Sequence, residues 1–396
     1  MTDERLQRLL ERAGDDGRAQ AELRAWPVVD EAFAQQRAAA PRRRVLRPLL
    51  AAAGLAALAV VVALAVTPPG AAVADWVRDH IVGTPGVEKA APALTRLPGG
   101  GRMLVTSRGG VWVVNRDGSR RLLSGYRGGT WSPRGLYVGA WRGHELLAVE
   151  PGGRVHWSLA RRGAIRAADW SPDGFRIAYL TGRSLRVVAG DGTGDTQVRV
   201  RVAPVAPSWK PTGPHLLAFA PRPRVVDLVA TDARALAWRH SLPQATRALA
   251  WSADGRLLAA AGRTRVTVLD GATGMVRRRI AAPAGFAISA VAFAHRGHQI
   301  AATLRGRDGQ SRAITVAVAG RHTRPRLLFA GAGRFAQVQW SPDDHWVLIA
   351  WPAANQWLFL RSTRVSAVSA VRDIALQFNP GSRAARFPAI ADWCCG

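Results

Sequence analysis

Apolar residues in this chain fall into two kinds of run. One is a single uncharged stretch, LLAAAGLAALAVVVALAVT, from Leu49 to Thr67. The others are short and recur: FRIAYL after Gly174, HLLAFA after Pro214, RLLAAA after Gly255 and WVLIAW after His345. Each short run follows a polar turn, and each turn is preceded by an aromatic residue. The pentapeptides are WSPRG from Trp131, WSPDG from Trp170, WKPTG from Trp209, WSADG from Trp251, FAHRG from Phe293 and WSPDD from Trp340, with a degraded copy, FNPGS, from Phe378. Serine bonds its own backbone, proline presets φ, and Asp-Gly completes a tight turn, so each unit predicts strand, turn, strand. Successive aromatics stand 39, 39, 42, 42, 47 and 38 residues apart, the period of a four-stranded propeller blade. An aromatic repeated once per unit is expected to pack between neighbouring blades, burying about 150 to 250 Å² each time.

The pattern resembles the TolB-type WD40-like β-propeller repeats over roughly residues 101 to 380: an aromatic, SPDG, a strand, then a strand of the form VVxxDG. VWVVNRDG at Val111, LRVVAGDG at Leu185 and VTVLDGATG at Val266 supply the second half of the unit. The resemblance implies an all-β propeller. From Gly101, GRMLVTS, GVWVVN and RRLLSG read as the second to fourth strands of a blade without a first, and DIALQFNPG from Asp373 reads as a first strand without a blade. Pairing them gives seven blades closed by a C-terminal strand, which leaves no open edge. Six blades follow if Asp373 onward packs elsewhere or if RAARFPAI from Arg383 supplies further strands.

The remaining segments divide as 1–47, 48–67, 68–98 and a tail, 383–396, around a propeller at 99–382. Residues 1–47 read as a short helical segment, with Thr2 an N-cap, an apolar stripe at Leu6, Leu9 and Leu10, and a second from Trp26 to Phe33. The nineteen residues of the apolar run, at 1.5 Å each, span about 28 Å as a helix, enough for a bilayer core. Arg42, Arg43, Arg44 and Arg47 crowd its N-terminal side and nothing basic follows before Arg78, which puts the N-terminus in the cytosol and the propeller outside. A cleaved signal peptide, with Ala72 to Ala74 as the site, is the rival reading, against which stand the long polar segment ahead and the length of the run. Val73, Trp76, Val77, His80 and Ile81 share a helical face suited to the membrane surface or to the propeller, and GTPGVEKAAPALTRLP from Gly83 reads as a linker.

Charge sharpens this picture. The formal charge is +28, and residues 1–47 hold ten arginines against eight acidic residues, so most of the excess lies beyond the apolar run. In the blade layout that the resemblance implies, the turns between second and third strands open on the face opposite the SPDG turns. Six of the seven carry an arginine, Arg108, Arg142, Arg183, Arg224, Arg263 and Arg305, while PAANQ from Pro352 carries none. They predict a basic rim for an anionic partner, protein or polymer, outside the cytosol; nucleic acid is not expected there.

Catalytic signals are missing from the pattern. There is no GxSxG elbow, the closest histidines, His295 and His298, flank a turn without a metalloprotease glutamate, and Asp173, Asp254, Asp343 and Asp344 read as turn formers. No enzyme activity, cofactor or metal is expected. Cys394 and Cys395, the only cysteines, are adjacent and read either as a vicinal disulfide, a link between chains or a free thiol tail. The sequence thus points to a membrane-tethered, non-catalytic binding module. The alternative is a transmembrane signalling protein similar in layout to membrane anti-sigma factors, with residues 1–47 as the cytosolic effector, although no histidine or cysteine precedes His80 to supply a zinc site.

Overall fold

The computed structural model describes residues 87, 89–318, 324–363, 368–382 and 385–395. The expectations for 1–47, the apolar run and the segment before Val87 lie outside these residues. Among the described residues no helix is long and apolar enough to cross a membrane.

Among the described residues, twenty-eight strands form seven four-stranded antiparallel sheets. We call the strands of each sheet A to D from the inside outward. Six blades are contiguous: β4(Gly128–Trp131) to β7(Val155–Ala160), β8(Ile165–Trp170) to β11(Thr196–Arg199), β12(Ser208–Trp209) to β15(Ala235–Ser241), β16(Ala248–Trp251) to β19(Val276–Ala281), β20(Phe286–Phe293) to β23(Arg326–Ala332) and β24(Gln337–Trp340) to β27(Val368–Val371). The remaining blade joins the two ends of the chain. Its order is β28(Ala389–Cys394), β1(Arg102–Thr106), β2(Gly110–Val114), β3(Arg120–Ser124). The A strands touch one another in a closed circuit, β28 meeting both β4 and β24. We number this joined blade 1 and the rest 2 to 7 in chain order.

Seven blades and C-terminal closure agree with the sequence reading, but the closing strand is not the one expected. DIALQF forms a short helix, α1(Ile374–Phe378), because its apolar residues are spaced for a helix: Ile374 and Phe378 lie one turn apart and both are buried. Phe378 wedges between Trp112 and Trp357, at ring separations of 5.8 and 5.0 Å, and so is not a repeat aromatic. The segment expected to be a tail supplies β28, and Trp393 takes the seventh aromatic place. Its indole Nε1 donates to Gly100 O at 3.0 Å, and the Gln337 side chain of blade 7 bonds both N–H and C=O of Ile390.

The strands follow from their composition. B and C strands, covered on both faces by neighbouring blades, are mostly apolar and buried, as in WVLIAW at Trp346–Trp351, with polar residues such as Arg186 and Asp227 held among them. Outer D strands alternate, as in VRRRIA of β19, because one face meets solvent. Trp131, Trp170, Trp209, Trp251, Phe293 and Trp340 close their A strands and are buried. Burying about 200 Å² of ring contributes about 5 kcal/mol each before entropy is counted. Three of the indoles also tie one blade to the one before: Trp209 Nε1 donates to Asp169 O, Trp251 Nε1 to Ser208 O and Trp340 Nε1 to Ala292 O. In the turns, Ser171, Ser252 and Ser341 Oγ donate to the aspartate two residues on and accept a backbone N–H five residues on.

The linker is part of the fold. Ala90, Leu94 and Leu97 are buried, Val87 N–H and C=O both bond the Gln356 side chain, and Ala91 bridges Val371 in parallel. The stalk expected at 68–98 therefore ends, from Val87 onward, as a strap along blades 7 and 1.

Candidate functional site

The identical A-to-D meander in every blade gives the ring two distinct ends. Turns from A to B and from C to D open at one, which carries the SPDG-type turns; turns from B to C and the connections from D to the next A open at the other. Arg108, Arg183, Arg224 and Arg263 lie in B–C turns, while Arg142 and Arg305 lie at or beside the B-strand ends feeding such turns. All six are exposed and open at the same end. Arg142 pairs with Glu145 at 2.7 Å. Among the described residues, no carboxylate forms an ion pair with the other five.

Charge is distributed unequally between the ends. Among the described residues, the connections at the B–C end carry thirteen arginines against two acidic residues, Asp308 and Asp373. Those at the SPDG end carry eight basic and nine acidic residues. At the B–C end, Arg166, Arg183, Arg201 and Arg222 surround a depression of about 450 Å³ between blades 3 and 4, floored by Pro221 and Ala203. Arg263, Arg305 and Arg307 line a second, of about 670 Å³, between blades 5 and 6. Of the six rim arginines, Arg183 lines the first hollow and Arg263 and Arg305 the second, while Arg108, Arg142 and Arg224 line neither. Arg201 and Arg222 were not singled out in the sequence because one stands in a long D–A connection and the other inside a strand.

The SPDG end is built of histidine and aspartate. The position just before the B strand holds His215, His298 and His345. His215 Nε2 meets Asp173 of the preceding blade at 2.5 Å and its Nδ1 meets Asp232 at 2.7 Å; His298 Nε2 meets Asp254 of the preceding blade at 2.9 Å. His345 has no aspartate behind it, since FAHRG places Arg296 there, and turns to its own Asp343 at 3.1 Å. Burial alone would raise the carboxyls of Asp173, Asp254 and Asp343, but serine Oγ, a backbone N–H and the histidine together hold all three below the ordinary value. His295 and His298 lie around an exposed turn, as expected, and reach different aspartates, Asp344 and Asp254. No group of three or more His, Cys, Asp or Glu among the described residues is arranged to hold a metal ion.

Two further carboxylates line the inner strands. Asp169 Oδ2 accepts the Trp209 N–H at 3.1 Å, and Asp392 Oδ2 accepts the Trp131 N–H at 3.0 Å. Burial pushes Asp169 up to about 7 despite the Trp209 N–H, with Asp392 adding to the rise; burial raises Asp392 as well. Both precede the closing aromatic of their A strand. Cys394 and Cys395 form the vicinal disulfide, one of the expected alternatives, beside Pro133 and Gly135 of blade 2.

No protein-family model matches the chain, and no curated protein matches it in sequence. Solved structures match its fold. Hydrazine synthase of Kuenenia stuttgartiensis is 18% identical with a TM-score of 0.51, the match covering 61% of this chain and 78% of that one. Hsv2 of Kluyveromyces lactis is 11% identical with a TM-score of 0.53, covering 66% and 89%. At such identities the likeness concerns architecture alone: the chain is a seven-bladed β-propeller, structurally like the WD40-type propellers.

Proposed function

We propose that this protein is a membrane-tethered, non-catalytic binding module of TolB-like kind, whose propeller lies outside the cytoplasm and uses its B–C end to bind an anionic partner. The observation that carries the reading is the charge difference between the two ends of one ring. A biased composition spreads arginine everywhere; it does not remove the acidic residues from one end. Five rim guanidiniums without acidic partners, together with two arginine-lined hollows, form a surface whose cations are free to pair with phosphate, carboxylate or sulfate groups. The tether and the topology rest on the apolar run and its flanking arginines.

Two measurements test this. Protease added to intact cells should cleave the propeller; full protection would place it inside and revive nucleic acid as the partner. Purified full-length protein should bind immobilised dextran sulfate in a salt-sensitive way, and the triple reversal Arg183→Glu, Arg263→Glu, Arg305→Glu should weaken binding far more than Lys210→Glu with Arg256→Glu at the other end. Equal losses from both sets would refute a directed surface.

A further inference from the structure

We infer that the anionic partner of the B–C end is the headgroup layer of the membrane that holds the protein, so that the propeller sits with this end against the lipid and the SPDG end facing away. The inference rests on the tethered reading above and adds an orientation to it.

The strap supplies the orientation. Val87, the first described residue, is gripped by Gln356, the first residue of the C strand of blade 7, and Ala91 bridges Val371, the last residue of its D strand. In an antiparallel meander both positions lie at the B–C end. Arg372 N–H, one residue on, donates to Ala91 O. The chain therefore joins the ring at the edge of its basic end. It joins the blade whose B–C turn, Pro352–Asn355, has no arginine in it or at the strand end feeding it.

The apolar run ends at Thr67, twenty residues before Val87, a distance of at most about 70 Å when fully extended. A tether this short keeps the basic end at high effective concentration beside the bilayer. An anionic leaflet attracts each nearby arginine by about fivefold in affinity, and the attraction fades within a Debye length. The hollow lined by Arg166, Arg183, Arg201 and Arg222 and the one lined by Arg263, Arg305 and Arg307 present planar forks to phosphodiesters. The most exposed large apolar side chains, Leu136, Phe175 and Met275, stand at the SPDG end. Val200 and Leu376, half exposed, stand at the B–C end, so docking there is mainly electrostatic with two small apolar contacts, and leaves Leu136, Phe175 and Met275 free.

The test uses the full chain in nanodiscs of phosphatidylcholine alone or with phosphatidylglycerol, read by hydrogen exchange. Phosphatidylglycerol should slow exchange in the B–C turns around Arg183, Arg224 and Arg263 and leave the turns around Asp173 and Asp254 unchanged. Raised salt should abolish the protection. The triple reversal Arg183→Glu, Arg263→Glu, Arg305→Glu should weaken docking by at least roughly 100-fold at low salt without releasing the chain from the disc. A chain retained in the disc but with identical exchange in both lipids overturns headgroup docking and leaves the tether standing. Protection produced equally by soluble dextran sulfate on phosphatidylcholine discs would assign the face to a polymer instead. A chain washed off the discs by carbonate removes the tether, and this inference with it.

Discussion

Replacing Trp393 by alanine tests how the ring is closed. Trp393 is 2% exposed, packs edge-on against Phe359 at 6.0 Å and donates to Gly100 O at 3.0 Å. Truncating a buried tryptophan costs about 3 to 5 kcal/mol in lost transfer energy and cavity, and the lost hydrogen bond adds about 1 kcal/mol. A total of about 5 kcal/mol is comparable with the whole stability of many domains, about 5 to 15 kcal/mol. Urea unfolding of the purified protein, followed by tryptophan fluorescence, should show a large fall in midpoint. Leu122→Ala on the exposed outer strand β3 is the control, with an expected change under about 0.5 kcal/mol. A stop codon after Pro388 should be worse than either substitution, since it strips the ladder from β1 and removes Ile390 with Trp393. If that truncated protein unfolded at the wild-type midpoint, the ring would have to be closed by some other segment, and the assignment of β28 to blade 1 would be wrong.

Other expectations concern separate parts of the ring. A Cβ at Gly274, where φ is +71°, would stand 2.7 Å from the ring of Trp238 on the outer strand of blade 4, so Gly274→Ala should cost about 2 to 4 kcal/mol in the same assay; an unchanged midpoint would show that Trp238 does not pack on this turn of blade 5. Asp169 titrates near 7 in the fold against about 3.8 in the open chain, so the folded state holds the extra proton between those values. Its contribution is fully present at the lower pH and is lost as pH rises through 7. Relative to Asp169→Asn, the wild type should therefore lose roughly 4 kcal/mol between pH 4 and pH 8; parallel curves would refute it. Arg239→Ala would leave Asp227, 2% exposed, without the guanidinium that bonds it at 2.7 and 2.8 Å, and should cost at least about 2 kcal/mol, measured as a drop in urea midpoint, whereas Arg265→Ala should be nearly neutral.

What could be read from the sequence was whatever repeats with a local chemical reason. Trp131, Trp170, Trp209, Trp251, Phe293 and Trp340 announce themselves through the turn that follows each of them. Trp393 does not, because Cys-Cys-Gly stands where the turn chemistry should be, and the strand that pairs with it, β1, lies almost 300 residues earlier in the chain. A signal was nevertheless present: Ala391-Asp392-Trp393 repeats Ala168-Asp169-Trp170, and in both places the aspartate caps the N–H of the next blade's tryptophan. Phe378 misled because its neighbours Asn379 and Pro380 imitate a turn while Ile374 and Phe378 are spaced for a helix. The arginine positions followed from counting turns, whereas the hollows needed Arg201 and Arg222, which only folding brings beside Arg183. The His215–Asp173 and His298–Asp254 pairs join residues 42 and 44 positions apart, a distance set by the blade period and invisible to local pattern.

Sharing blade 1 between the two termini has a consequence for biogenesis. A nascent chain that stops short of β28 already holds six complete blades, yet β1 still offers a bare hydrogen-bonding edge to any passing strand. Ring closure thus waits until β28 itself has been made. Termination before β28 is expected to yield an open, aggregation-prone product instead of a slightly shorter protein.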